Sequence, residues 1–561
     1  MKWIERLANP EHVSELVSAL KLDPVLARVL AARGIHTSTQ AKKYLETSLA
    51  DLADPDLFAG MPQACARLTD AILKDETIGI FGDYDVDGVT STVLLWEFLE
   101  QLGARAVVTI PDRLKEGYGL SLAGVHRLRE QGASLLVTVD CGITAHEEVE
   151  AANALGVDVI VIDHHTVLVD LPKAVAVINP HRKDCPREAT HLCAVGVVFN
   201  LCLSLRRMLR ERGFFQDRPE PNLRHSLDLV ALGTVADVVP LIEDNRIFVQ
   251  QGIGLMKQSR RVGIKALLDV AEIEQSQITA STLGFHLGPR INAAGRLEDA
   301  MQAVHLLRET NYPKARVMAE SLDKNNRSRR DLEKQIVEEA ILEVSESKEH
   351  QDSFVTVVGN ERWHPGVVGI VASRLVERFG KPALVIGEKG KGSGRSIPAL
   401  HLYETLCQVK EHLIGFGGHA HAVGVQVDLN RLRDLRKAMN AHVSQILTRD
   451  DLVQPIFYDG AVDLEQISLE WVNGLKQAAP FGRSNPEPVF RINQVSLVDF
   501  KELRGGHLKG FVQGNKNVPF IAFGMAEKQS ALTRPVDVLV VPEINTWMGR
   551  NQIQLRVKDW L

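Results

Sequence analysis

The sequence predicts an α/β protein: two α/β lobes joined by a long helix, followed by a small OB-like β-barrel. Three observations carry this reading. Short Val- and Ile-rich runs alternate with helix-length stretches from residue 78 to about 237, and again after residue 353. Between them SLDKNNRSRRDLEKQIVEEAILEVSE (321–346) keeps helical periodicity over many turns with dense opposite charges, the pattern of a solvated bridging helix. The C-terminal stretch then shows five short apolar runs separated by turns.

Taken in order, residues 1–50 read as short amphipathic helices and 51–320 as the first α/β domain. The runs IGIFGD (78–83), AVVTIPD (106–112), LLVTVD (135–140), VDVIVID (157–163) and VAVINP (175–180) are its buried parallel strands, and 240–320 is mostly helical. The helix 321–346 leads to a second α/β domain, 347–449, punctuated by GEKGKGSGRS (387–396) and GFGGHAHAVG (415–424). Residues 450–561 hold the runs VFRINQVSLVDF, HLKGFVQG, VPFIAFGM, VDVLVVPEI and IQLRVKDW, which fit an OB-type barrel or another small antiparallel barrel.

At 561 residues the chain is too long for one ordinary core, and 45% hydrophobic with 24% charged residues is a soluble globular composition. No apolar run approaches a membrane span, and the start MKWIERLANPEH lacks the pattern of a secretory signal. Six cysteines without CxxC pairing argue against a disulfide framework or thiolate zinc and fit a reducing, cytoplasmic setting. With no heptad or obvious apolar patch, a monomer is expected. The net charge of −6 does not exclude nucleic acid, because Trp471–Leu561 carries 12 Lys/Arg against 7 Asp/Glu.

The chemistry lies in where the acids fall. The first strand runs into Asp83-Tyr84-Asp85-Val86-Asp87-Gly88, the third ends at Asp140, the fourth at Asp163-His164-His165, and the apolar stretch LVALGTVAD (229–237) delivers Asp237. Ligands of open parallel sheets bind outside the carboxyl ends of the strands, so these groups converge on one crevice. Carboxylates so close repel by about 4 kcal/mol per pair at about 4 Å and an effective dielectric near 20. Divalent cations neutralise them together, and carboxylates with imidazole but no thiolate favour Mn²⁺ or Mg²⁺. With five or six ligands, two ions sharing an Asp suit phosphodiester cleavage better than one. DYDVDG also opens an EF-hand loop, but the twelfth position is Leu94 rather than Glu, and IGIF precedes it instead of a helix. Helix-capping acids alone explain one such motif and not its recurrence at successive strand ends. No P-loop and no GxSxG elbow occurs.

Asp163-His164-His165 after a strand, with DYDVDG and VDCG after two others, resembles the DHH phosphoesterase family, and GFGGHAHAVG resembles the GGHxxAxG signature of its accessory DHHA1 domain. PDRLKEGYGLS (111–121), GTVADVVPL (233–241), GPRINAAGR (288–296) and WHPGVVGIVASRL (363–375) look like the single-strand-specific exonucleases of that family, and PFGRSNPEPVF (480–490) extends the likeness into the barrel. The resemblance implies DHH and DHHA1 lobes, two Mn²⁺ or Mg²⁺ ions, and release of 5′-mononucleotides from single-stranded DNA in the 5′-to-3′ direction. It implies that Asp85 and Asp87 each hold one ion, with Asp83 completing the first or lying just behind it. Asp140 bridges, His164 and Asp237 complete the second, and His165 contacts the scissile phosphate. Asp163 is better read as orienting a histidine. Arg113, Arg290 and Arg296 become candidates for the 5′-terminal phosphate, since a guanidinium fork donates two hydrogen bonds. Ser393, Gly394, Arg395 and Ser396 could offer backbone N–H groups and a cation to the next phosphates. Gly417, Gly418 and His419 resemble a tight turn that admits a close backbone. A single-strand-binding protein and a helicase are the implied partners. Competing readings are a small-substrate DHH enzyme and a catalytically dead DNA-binding relative, the latter disfavoured because every expected acid is present.

Overall fold

A computed structural model describes residues 2–112, 116–167, 170–185, 191–258, 260–297, 299–547 and 550–561, with the main chain only at 297, 546 and 547. The chain divides into two compact units: Trp3–Ile110, Gly119–Gly288 and Ile456–Leu561 form one, and Pro111–Tyr118 with Pro289–Pro455 the other, together with Lys2. Among the described residues no helix is long and apolar enough to cross a membrane.

The first unit opens with strand β1 (Lys2–Glu5), not anticipated in a segment read as helical, before the helices Pro10–Leu20, Pro24–Ala31 and Ser38–Leu45. Its sheet comprises β2 (Thr77–Gly82), β3 (Arg105–Thr109), β4 (Ala133–Val139), β5 (Asp158–Ile162) and β6 (Ala176–Ile178) in the order β3-β2-β4-β5-β6. All pairs are parallel. The chain passes from β2 to β3 on one side and returns to β4 on the other, so the order reverses at β2 and opens a crevice beyond the carboxyl ends of β2 and β4. The apolar stretch before Asp237 is a helix, Leu227–Ala236, buried along most of its length. An apolar run of that length without alternation suits a helix packed on all sides as well as a strand.

The second unit contains the long helix, Tyr312–Glu346, which begins earlier than residue 321 because Asn311 caps it and Pro313 occupies its first turn. It is less solvated than its charges suggest: Ile336, Ala340 and Val344 bury against Trp363, Val368 and Leu375. The sheet of this unit has β7 (Thr356–Gly359), β8 (Ala383–Ile386), β9 (Lys391–Arg395), β10 (Gly415–Gly418) and β11 (Ala422–Gln426) in the order β10-β11-β9-β8-β7.

The C-terminal part of the first unit starts with β12 (Pro455–Tyr458), which pairs with β1. Six strands follow, not five: β13 (Phe490–Val495), β14 (Leu497–Leu503), β15 (His507–Val512), β16 (Val518–Ala522), β17 (Val536–Trp547) and β18 (Arg550–Trp560). The run VFRINQVSLVDF breaks at Ser496 into β13 and β14, the two ends of the sheet order β13-β17-β18-β16-β15-β14. Phe490, Leu508, Phe520, Val538, Leu555 and Trp560 fill its core.

Candidate metal centre

The turn after β2 places three acids within five residues. Asp85 caps the helix Val86–Gln101, its Oδ1 accepting from the N–H groups of Asp87 (2.9 Å) and Gly88 (3.1 Å). The turn is tight enough to demand glycine: a Cβ at 82 would lie 2.0 Å from Thr92 Oγ1, and one at 88 would lie 2.4 Å from the Asp83 carbonyl oxygen. Asp87 is buried and accepts from Ala194 N–H (2.6 Å) and Val195 N–H (2.8 Å), donors left over at the start of the helix Ala194–Glu211. Those backbone donors carry no residue identity, and the sequence gives no signal for them. Beyond β4, Asp140 takes a left-handed backbone (φ 64°), a conformation that Asp tolerates better than most residues.

Beyond β5, Asp163 is buried. Its Oδ1 accepts from His164 N–H (2.7 Å), His165 N–H (3.0 Å) and His165 Nδ1 (2.7 Å), and its Oδ2 from Ile143 N–H (3.0 Å). Asn179, at the end of β6, donates to the His165 carbonyl (2.9 Å) and so anchors the same loop. The polar VINP strand end was the available sequence signal for it. Asp237 is the residue that ends the helix Leu227–Ala236.

These elements bring the predicted side chains together. His164 Nε2 lies 3.2 Å from Asp140 Oδ1, 3.7 Å from Asp237 Oδ2 and 3.8 Å from Asp87 Oδ2. One ligand atom each from Asp83, Asp85 and Asp140 falls within 4.8 Å of the others, and the same holds for Asp87, His164 and Asp237, and for Asp140, His164 and His165. Burial, then the Asp85 carboxylate, push Asp87 up to about 7. Asp140 and Asp237 stand well above the usual carboxylate range for the same reasons, burial first and neighbouring carboxylates second. Burial, then the charge of His165, hold His164 down to about 3, so its imidazole is neutral. His164 Nε2 is buried without a hydrogen-bond partner among the described residues. A neutral imidazole lone pair aimed at clustered carboxylates fits a divalent cation. Burial keeps Cys193, beside Asp87, a thiol, which leaves oxygen and imidazole as the donors and fits Mn²⁺ or Mg²⁺. His165 is the cation of the site: burial would lower it, but its hydrogen bond to Asp163 and that carboxylate's charge raise it to about 9.

Comparison with known proteins agrees with this geometry. A sequence model of the DHH family, N-terminal domain, matches residues 77–234, the DHHA1 domain matches 351–445 and the RecJ OB domain matches 458–559. The single-stranded-DNA-specific exonuclease RecJ of Bacillus subtilis is 35% identical over 569 residues, covering 100% of this chain and 70% of the relative. That of Escherichia coli is 37% identical over 565 residues, covering 96% of each. This chain belongs to the RecJ family. A crystal structure of RecJ in complex with Mn²⁺ from Thermus thermophilus superimposes with a TM-score of 0.84 at 28% identity, covering 100% of this chain and 79% of that one. The corresponding Mg²⁺ complex gives 0.77 at 27% identity, covering 100% and 78%. Both cations are therefore ones that RecJ structures carry.

The other candidates of this RecJ-family chain that fall among the described residues lie in the second unit. Arg290 is mostly buried and pairs through Nη2 with Asp323 Oδ1 on the long helix (2.9 Å). Arg296 Nη1 donates to the Gly366 carbonyl (2.7 Å). Arg113 lies outside the described residues. The expectation that Ser393, Gly394, Arg395 and Ser396 offer backbone N–H groups needs correction. Strand β9 is paired on both sides, with β11 and β8, so its backbone donors belong to the sheet, and Ser396 N–H donates to His421 O (3.0 Å). Gly394 is explained by packing: a Cβ there would meet Val423, Leu384 and Leu402 at 2.7 to 2.9 Å. Of the side chains, Arg395 Nη1 donates to the Gly394 carbonyl (2.8 Å) and Ser396 Oγ to the Leu400 carbonyl (2.8 Å), while Arg395 and Ser393 converge beside Gly369, whose Cβ position is 3.2 Å from Arg395 Nη2 and 3.4 Å from Ser393 Oγ. Gly418 makes the expected tight turn, with φ 134° and His419 N–H donating to Ala422 O (2.9 Å).

Proposed function

We propose that this chain is a metal-dependent, single-stranded-DNA-specific exonuclease that works 5′ to 3′, releases 5′-mononucleotides and acts in DNA recombination and repair. The observation that carries it is the cluster of five carboxylates and a neutral imidazole, buried or half-buried, at the sheet's reversal point. Asp83, Asp85 and Asp140 would hold one Mn²⁺ or Mg²⁺, and Asp87, His164 and Asp237 the other, with Asp140 shared. When bound, the ions supply hydroxide at neutral pH and offset charge on the phosphoryl oxygens. The chain's own residues do the rest. Asp163 fixes the His164-His165 loop through three hydrogen bonds and is itself tied by a fourth to Ile143 N–H. His165, cationic and with 44% of its side chain exposed, donates to the scissile phosphate. Arg113, Arg290, Arg296, Arg395, Ser393, Ser396 and the Gly418-His419 turn are the candidates for the remaining phosphates.

The division into a helical segment (1–50), DHH domain (51–320), connecting helix (321–346), DHHA1 domain (347–449) and OB-like domain (450–561) belongs to the same reading. So do a cytoplasmic location, a monomeric state, and a single-strand-binding protein and a helicase as partners. Incubation with Mn²⁺ and 5′-labelled single-stranded DNA, labelled dinucleotide, pyrophosphate or blunt duplex tests the activity. Mononucleotide release from the single strand far ahead of the rest is expected; pyrophosphate, dinucleotide or duplex hydrolysis at a comparable rate contradicts it.

A further inference from the structure

The string PFGRSNPEPVF has no part in the chemistry above, yet it touches the backbone next to Asp237. Asp237 is followed by Val238, a β-branched residue in the left-handed region (φ 58°) with 61% of its surface exposed, and the segment closes at Glu243, also left-handed (φ 47°). A β-branched residue takes that conformation only when its surroundings impose it. Arg483 meets the segment twice: its carbonyl accepts from Leu241 N–H (2.9 Å), and its Nη1 donates to the Val238 carbonyl (3.4 Å). At Gly482 a Cβ would sit 2.7 Å from Leu241 Cδ1, so the turn lies directly on the segment.

The turn is itself firmly held. Asn485 Nδ2 donates to the carbonyls of Ala478 (2.9 Å) and Pro480 (2.7 Å), and Arg33 binds both Asn485 Oδ1 and the Pro486 carbonyl. Arg246 lies on the helix Glu243–Met256, which starts where the segment ends. It is 2% exposed and has no carboxylate partner among the described residues. Its guanidinium donates to the carbonyls of Tyr44 (2.8 Å), Gln477 (3.4 Å), Ala478 (3.0 Å) and Ala479 (2.7 Å) and stacks on the Tyr44 ring. A buried cation satisfied by main-chain carbonyls alone ties the turn to the base of the segment.

We infer that the turn Ala479–Pro486 is a positioning element of the metal centre, with Arg483 and Gly482 holding the backbone that aims the Asp237 carboxylate. This rests on the reading of Asp237 as a metal ligand. Without that hold, Val238 relaxes to an ordinary conformation and the Asp237 carboxylate swings away from His164 and Asp87. The test uses the full chain with Arg483→Ala, Arg483→Lys and Gly482→Val. It measures Mn²⁺ affinity by titration calorimetry, oligonucleotide KM at saturating Mn²⁺, and Tm in EDTA. Arg483→Ala and Gly482→Val weaken Mn²⁺ binding at one site by about tenfold. KM at saturating Mn²⁺ stays within about twofold, and Arg483→Lys, which keeps a donor, recovers most of the affinity. Should Gly482→Val fail to fold, Arg483→Ala decides alone. Unchanged Mn²⁺ affinity in Arg483→Ala overturns the inference, whether or not KM rises. Calorimetry needs no turnover, so a wild-type chain that binds Mn²⁺ but leaves DNA intact refutes the exonuclease reading and leaves this one standing.

Discussion

The metal centre and the glycine-rich sheet of the DHHA1 region use their motifs in opposite ways. At the centre, strands end and side chains take over: the carboxylates of Asp87, Asp140 and Asp237 crowd around the neutral His164 against their mutual repulsion. In KGSGR the strand continues, and its glycines serve the sheet, Gly394 by making room for Val423, Leu384 and Leu402. The lesson is that chemistry carried by side chains at strand ends can be inferred from a motif, whereas the availability of backbone donors depends on what pairs with the strand.

Breaking the centre should have the largest effect. Asp140→Ala, which removes the shared carboxylate, should abolish nuclease activity and Mn²⁺ binding together; most activity surviving in a single-turnover assay would undo the bridging assignment. Asp163→Asn, which acts on the cluster through the His164-His165 loop and through Ile143 beyond Asp140, should lower kcat/KM by about 10–100-fold. A smaller loss, below about threefold, would mean that loop orientation is unimportant.

Two neighbouring substitutions separate the side-chain role from the backbone role in the glycine-rich sheet. Arg395→Ala should raise the oligonucleotide KM by about tenfold, the scale of one charge-assisted hydrogen bond, with kcat little altered. Gly394→Ala should instead cost stability, about 1–3 kcal/mol by overpacking, and leave the KM of the folded protein alone. If Gly394→Ala raises KM without lowering Tm, the backbone does meet the substrate and the distinction fails.

The smallest effect expected is thermodynamic. Burial and mutual repulsion raise Asp87 to about 7 and lift Asp140 and Asp237 as well. A carboxyl group whose pKa is higher folded than unfolded favours folding when protonated, so the metal-free cluster is tolerated near about pH 4 and costs stability as pH rises through about 7. Mn²⁺ relieves that cost. The Tm gain on adding Mn²⁺ to EDTA-treated protein should therefore be larger at about pH 8 than at about pH 5; a gain independent of pH would remove the electrostatic account of the cluster.

Much of this arrangement was legible beforehand, for physical reasons. Parallel strands buried on both faces spell themselves out as Val- and Ile-rich runs, and an acid directly after such a run has one place to go. The gaps were non-local. Strand β1 exists only because Pro455–Tyr458, far along the chain, pairs with it. The helix before Asp237 is apolar all round and so lacks the periodicity that separates helix from strand. Ala194 and Val195 hold Asp87 with backbone N–H groups that any residues would supply, and the four carbonyls around Arg246 are equally anonymous.

The central claim is that a buried carboxylate cluster is made stable, and made reactive, by two divalent cations sharing Asp140. Anomalous diffraction from crystals soaked in Mn²⁺ tests this most directly. Two peaks are expected, one among Asp83, Asp85 and Asp140 and one among Asp87, His164 and Asp237, with Asp140 touching both. A single peak, or manganese bound elsewhere while these carboxylates stay together, would contradict it.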